Sequence, residues 1–148
     1  MKIKIKKLND AAQVPRYQTK GAAGFDLHAT QDVRLNSGQT ALVPTGLSFE
    51  IPEGYEMQIR PRSGLSLKSK LRIANSPGTI DSDYTAEVMI IAENISTTSF
   101  PSDEPIIVRK GDRIAQGVIQ KVEQAEFFEV EELKETERGE QGFGSTDV

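Results

Sequence analysis

Cysteine and tryptophan are missing from the 148 residues, and histidine occurs once. Without thiols there can be no disulfide framework, no thiolate metal site and no cysteine nucleophile, and a reducing compartment is open to the chain. His28 has no second histidine near it, so neither a metal centre nor a catalytic triad is expected there, and it is read as a bystander. Long apolar runs are missing as well: no segment approaches the roughly 20 residues of a membrane-spanning helix. The N-terminal stretch Met1-Lys-Ile-Lys-Ile-Lys-Lys7 alternates charge with isoleucine where a signal peptide carries an apolar centre. A soluble, cytoplasmic protein with no membrane partner is the expectation. Nor is there a basic surplus: 18 Lys and Arg against 22 Asp and Glu leave a net charge of −4, which argues against general nucleic-acid binding. Any phosphate recognition must be local.

A chain of this length can bury one full core, so a single domain is expected. Lys2 to Lys6 alternates lysine with Ile3 and Ile5, the period of a half-buried edge strand. Asp10 to Gly21 has no period and contains Pro15, which predicts a connecting loop. Val33 to Glu50 is broken at Asn36-Ser-Gly38 and Pro44-Thr-Gly46, as two strands with tight connections are. Phe49-Glu-Ile51 and Glu56-Met-Gln-Ile-Arg60, separated by Glu53-Gly54, read as a further hairpin. One short helix opened by Ser63 fits Gly64 to Leu71. Glu87 to Ala92 is apolar enough to be buried on both faces. Asn94 to Pro105 reads as a surface loop. Ile106 to Val108, Arg113 to Gln120 and Glu126 to Val130 complete the strands, with a turn at Gly111-Asp112. Many short strands with close turns predict an all-β antiparallel sandwich or barrel. Residues 1–130 form that domain, and the acidic, then glycine-rich 131–148 is read as a C-terminal arm, mobile when nothing is bound.

The densest chemistry lies in Asn75-Ser-Pro-Gly-Thr-Ile-Asp-Ser-Asp-Tyr-Thr-Ala-Glu87. Asn75, Pro77 and Gly78 allow the backbone to reverse and leave main-chain groups free for a flat polar ligand edge. On an extended strand Asp81 and Asp83 point to one side and Tyr84 to the other. In isolation these residues also describe an ordinary surface turn. Arg60-Pro-Arg-Ser-Gly64 sits where a strand gives way to the short helix, so Arg62, the Ser63 hydroxyl and the first helical amides can converge on an anion. Gln116 lies between Ala115 and Gly117, small residues that leave room for something bulky. Arg138, Phe143, Ser145 and Thr146 offer a cation, an aromatic lid and hydroxyls for a closing flap. Together they describe a site for a polyphosphorylated small molecule with a flat base.

Five stretches, Ala23-Gly-Phe-Asp-Leu27, Pro61-Arg-Ser-Gly64, Asn75 to Glu87, Gly111-Asp-Arg-Ile-Ala-Gln116 and Arg138 to Thr146, resemble in order and spacing the five motifs of the trimeric deoxyuridine triphosphate nucleotidohydrolases, the dUTPases. The resemblance spans nearly the whole chain. It implies a jelly-roll-like antiparallel β-sandwich with one short helix, assembled as a homotrimer whose active sites are shared between subunits. It implies magnesium-dependent (Mg2+) hydrolysis of dUTP to dUMP and pyrophosphate, keeping uracil out of DNA and supplying dUMP for thymidylate synthesis. By motif position, Asp81 is then the general base for the water that attacks the α-phosphate, and Tyr84 packs under the deoxyribose so that a ribose 2′-hydroxyl has no room. Asp26 holds water in the metal's outer shell. Arg62, Ser63, Gly64 and Gln116 contact phosphates, and the backbone around Asn75, Gly78 and Ile80 reads uracil. Arg138, Phe143, Gly144, Ser145 and Thr146 close over base and γ-phosphate from a third subunit. Ala86 and Gln141 stand where the family usually has glycine; Ala86 fits unless its φ must be positive. The related dCTP deaminase branch shares the fold, and Pro61-Arg-Ser-Gly64 favours a dUTPase. A catalytically quiet binding module is the rival of another class, and the intact Asp81 argues against it.

Overall fold

The computed structural model describes residues 1–97, 105–136 and 139. Among them the alternating stretches form strands, in chain order β1 (Lys4–Lys7), β2 (Phe25–His28), β3 (Val33–Leu35), β4 (Thr40–Pro44), β5 (Leu47–Glu50) and β6 (Tyr55–Arg60). A helix α1 (Ser63–Lys68) follows, then β7 (Leu71–Ile73), β8 (Gly78–Ile80), β9 (Met89–Asn94), β10 (Ile106–Val108) and β11 (Arg113–Lys121). Every pairing is antiparallel. One sheet runs β2-β11-β6-β8, a second β4-β9-β7, and two ladders join β1 to β5 and β3 to β10. The all-β antiparallel expectation holds, and no helix among the described residues is long and apolar enough to cross a membrane.

The core is built from the buried positions of most strands, with β2 and β5 buried on both faces and β1 on neither. Leu27, Leu35, Val43, Leu47, Met57, Val88 and Ile90 are fully buried. Each such side chain contributes about 1.5–3 kcal/mol relative to exposure, against about 0.5–1.5 kcal/mol for one ladder bond, so packing holds the short strands in place. Gly46 turns the chain between β4 and β5 with φ +65°, where a side chain is strained and a methyl would lie 2.8 Å from the Ala12 Cβ.

Several elements depart from the sequence reading, each because a distant partner wins over a local one. Val33 to Glu50 holds three strands where two were expected. β5 and β6 do not form a hairpin: β5 pairs with β1, and β6 lies between β11 and β8. The strands flanking Asn75 likewise separate, β7 to β9 and β8 to β6, so the stretch bridges two sheets. β9 alternates, with Met89 exposed and Ile90 buried, because only one face meets the core. Helix α1 opens at Arg62, whose extended backbone makes it the N-cap, without a side-chain cap bond; Ser63 is the first helical residue. Glu126 to Val130 is not a strand, and Phe127 and Phe128 are 93% and 75% exposed because nothing among the described residues covers them.

Candidate active site

Two groups of residues carry the predicted site, both set along the β2-β11-β6-β8 sheet. The first gathers Asp26 of β2, Arg62 before α1, and Arg113 and Gln116 of β11. A register shift between Arg113 and Ala115 sets Gln116 opposite Asp26, the local re-aiming that an extra strand residue produces. Asp26 is buried, and both its oxygens are paired: Oδ1 with Arg62 Nε at 2.8 Å and Oδ2 with Arg113 Nη1 at 3.3 Å. Arg62 Nη1 also donates to the Arg113 carbonyl at 3.1 Å, and Gln116 Nε2 donates to the Pro61 carbonyl at 2.9 Å. One carboxylate between two guanidiniums leaves a surplus positive charge, with Ser63 and Gly64 exposed beside it. That arrangement favours an anion.

Two glycines make this geometry possible. A methyl at Gly24 would stand 2.5 Å from Gln116 Oε1, so only glycine leaves the amide where it is. Gly117 lies under the Phe25 ring, where a methyl would fall 2.5 Å from Cε2. The space that Ala115 and Gly117 were read as leaving for a ligand is therefore taken by Phe25. His28, the expected bystander, has a buried Nδ1 without a partner among the described residues. Burial holds its imidazole below the ordinary range, Asp26 opposing and Arg113 and Arg62 adding to the effect.

The second cluster follows β8. Ile80 ends the strand opposite Met57, and the Tyr84 N–H donates to the Asp81 carbonyl at 3.2 Å, so residues 81–84 form a turn. Asp81 and Asp83 therefore do not share a strand face as expected; the chain has already left the ladder. Both line a cavity of about 740 Å³ with Tyr55, Glu56, Val122 and Gln124. Asn75 packs against Gly78, where a methyl would lie 3.0 Å from its Nδ2. Tyr84 is 42% exposed and its hydroxyl donates to the Glu87 carbonyl at 2.9 Å. No non-glycine residue among those described has a positive φ, so Ala86 fits. Arg138, Phe143, Gly144, Ser145 and Thr146 lie outside the described residues.

Asp81 and Gln116 sit toward opposite ends of β6, while Gly78, opposite Ile59, lies nearer the Gln116 end. Asp81 follows the residue paired with Met57, whereas Gln116 pairs with Arg60 and Arg62 lies further on. From Glu56 to Arg60 is about 13 Å of extended strand. Sequence reasoning assigned no role to Arg113 or Glu87; an arginine three residues before Gln116 on one strand was the available signal for the first.

Comparison with known proteins agrees with this inventory. The family model described as dUTPase matches residues 10–147. The deoxyuridine 5'-triphosphate nucleotidohydrolase of Nautilia profundicola is 56% identical over 146 residues, covering 99% of both chains. The structure of the Staphylococcus bacteriophage 80alpha dUTPase with dUPNHPP superposes with a TM-score of 0.88 at 31% identity, covering 99% of each chain. That of the dUTPase from phage phi11 of S. aureus, which concerns coordination of a structural Mg(II) ion, gives 0.80 at 28% identity, covering 89% of this chain and 98% of that one. With a family model spanning nearly its whole length and a relative at more than half identity, this chain belongs to the dUTPase family.

Proposed function

We propose that this protein hydrolyses dUTP to dUMP and pyrophosphate in the cytoplasm, limiting uracil in DNA and supplying dUMP for thymidylate synthesis. The observation that carries the reading is the full-length match to a nucleotidohydrolase of deoxyuridine triphosphate, with Asp81 on an exposed turn beside a cavity. Water attacks the α-phosphorus as its proton passes to the Asp81 carboxylate. The bond from that phosphorus to the bridging oxygen breaks, and pyrophosphate leaves with the electron pair. Arg62 uses two of its nitrogens to hold Asp26 and the Arg113 carbonyl. Its remaining terminal nitrogen makes no bond among the described residues and is offered to phosphate with Ser63, Gly64 and Gln116. Main-chain groups around Asn75, Gly78 and Ile80 pair with the uracil edge, and Tyr84 lies against the deoxyribose. Arg138, Phe143, Gly144, Ser145 and Thr146 close the site as part of a 131–148 arm.

The donor set fits a magnesium ion that arrives with the triphosphate. No group of three His, Asp or Glu among the described residues is placed to hold a metal alone, and magnesium commonly takes one or two carboxylates, water and substrate phosphates. Asp26, with each oxygen already bonded to a guanidinium, is suited to hold the ion's water and not the ion itself. When bound, the ion neutralises phosphate charge and orients the chain.

The separation of Asp81 and Arg62 toward opposite ends of β6 supports a homotrimer with shared sites, in which one triphosphate meets the Arg62 of one chain and the Asp81 of another. The exposed Phe127 and Phe128 supply apolar area for another copy. A pyrophosphate-release assay over dUTP, dCTP, dTTP and UTP, with and without magnesium, tests the function. Preference for dUTP with magnesium is expected, and Asp81→Asn should lower that turnover by roughly 10²–10⁴-fold while nucleotide binding persists. Equal turnover of dCTP, or an Asp81→Asn variant within a few-fold of wild type, contradicts it.

A further inference from the structure

Tyr84 lies against no packed core. The residue is 42% exposed, and among the described residues its one side-chain hydrogen bond runs from the hydroxyl to the Glu87 carbonyl at 2.9 Å. A ring that excludes a ligand hydroxyl by contact must be held to a fraction of an ångström, and an exposed ring is held only as firmly as the backbone that carries it. That backbone is fastened to the β4–β5 turn at successive positions. Ser48 Oγ donates to the Thr85 carbonyl at 2.5 Å, and Thr45 Oγ1 donates to the Val88 carbonyl at 2.6 Å. The Val88 N–H donates to the Leu47 carbonyl at 2.9 Å. Between them the Gly46 N–H donates to Glu87 Oε1 at 2.7 Å. The anchoring turn itself cannot shift easily, since the space a Gly46 side chain would need is filled by Asn9, Ala12 and Thr30.

Glu87 therefore joins both halves of the arrangement. Its carbonyl takes the tyrosine hydroxyl, and its carboxylate is gripped by a main-chain N–H of a rigid turn about forty residues earlier in sequence. We propose that Glu87, assisted by Ser48, is a positioning residue for sugar discrimination: it fixes Tyr84 so that a ribose 2′-hydroxyl is excluded. The proposal rests on the reading of Tyr84 as the residue against the deoxyribose. It does not touch the reacting atoms. Loss of the grip should loosen the ring and admit ribonucleotide before it impairs the chemistry.

The test is the ratio of kcat/KM for dUTP to that for UTP, measured on full-length Glu87→Ala, Glu87→Gln, Ser48→Ala and Tyr84→Ala, with Tm recorded for each. Glu87→Ala should lower the ratio by roughly tenfold, the size of a small steric discrimination, mainly through a lower KM for UTP. Glu87→Gln keeps an oxygen that accepts from the Gly46 N–H and should restore most of the ratio. Ser48→Ala should shift it in the same direction as Glu87→Ala, and decides the matter if Glu87→Ala does not fold. A ratio that stays at the wild-type value in Glu87→Ala, or in Ser48→Ala where the former does not fold, while Tyr84→Ala lowers it, overturns the positioning role alone. An unchanged ratio in Tyr84→Ala removes the gate itself and this inference with it. Equal losses for dUTP and UTP, tracking the fall in Tm, show a structural staple only and also overturn the proposal.

Discussion

Two glycines one strand apart differ in what a single methyl would do, because one faces a flexible side-chain end and the other a wedged ring. At Gly24 the obstacle is Gln116 Oε1, the end of a side chain that can swing aside. At Gly117 it is Phe25, held edge-on by Tyr17 at a centroid distance of 5.5 Å and stacked near Phe49 at 6.3 Å. Gly117→Ala should therefore cost about 1–3 kcal/mol by overpacking, read as a lower denaturation midpoint. Gly24→Ala should leave that midpoint nearly in place and instead raise KM for dUTP, by displacing Gln116 from the Pro61 carbonyl it now holds. A KM unchanged in Gly24→Ala would remove Gln116 from the phosphate-binding set. Both glycines are visible in the sequence. Their reasons are not, since each depends on which side chain a neighbouring strand lays across it.

At the level of elements, what could be read was periodicity and punctuation. The lysine–isoleucine alternation marks β1, and Gly38, Gly46, Gly54 and Gly111 all turn the chain at positive φ where turns were expected or strands broken. Partner choice was not readable. β5 leaves its neighbour β6 for β1, some forty residues away, because burying Leu47 and Phe49 outweighs the entropy saved by a local hairpin. The same non-local logic hides the Asp32 clamp. Its Oδ1 accepts the Lys110 N–H and its Oδ2 pairs with Arg109, both at 2.8 Å, fastening the β2–β3 loop to the turn before β11. The Lys110 N–H first, and then Arg109, hold the Asp32 carboxyl below its ordinary value of 3.8. A depressed carboxylate stabilises the folded chain above that value, and the contribution is lost as pH falls through the folded-state value. Asp32→Asn should accordingly lower Tm at pH 6, and the difference from wild type should shrink as the pH is taken below 3.8. A gap that persists undiminished in acid would mean that charge is not what holds the loop.

At the scale of the whole molecule, the proposed trimer has each monomer presenting halves of two different sites. The residues proposed to bind phosphate lie at the Arg60 end of β6, and the proposed catalytic Asp81 follows the residue opposite Met57. The motif order in the chain names Asp81 and Arg62, but neither Arg113 nor which copy supplies each group, because register along β6 is a property of the folded sheet. If sites form between copies, an Asp81→Asn chain and an Arg62→Ala chain fail for complementary reasons. The first supplies an intact anion cluster, and the second an intact base. Unfolding and refolding them together at equal amounts should place both intact halves in about a quarter of the sites of randomly mixed trimers. Turnover of dUTP should then rise from near zero to about a quarter of wild type, while each variant refolded alone stays inactive. Mixed trimers, separated by a charge tag and shown by native mass to contain both chains, that remain inactive would place the whole site within one subunit. The distance along β6 would then have to be closed by a movement of the residue 81–84 turn.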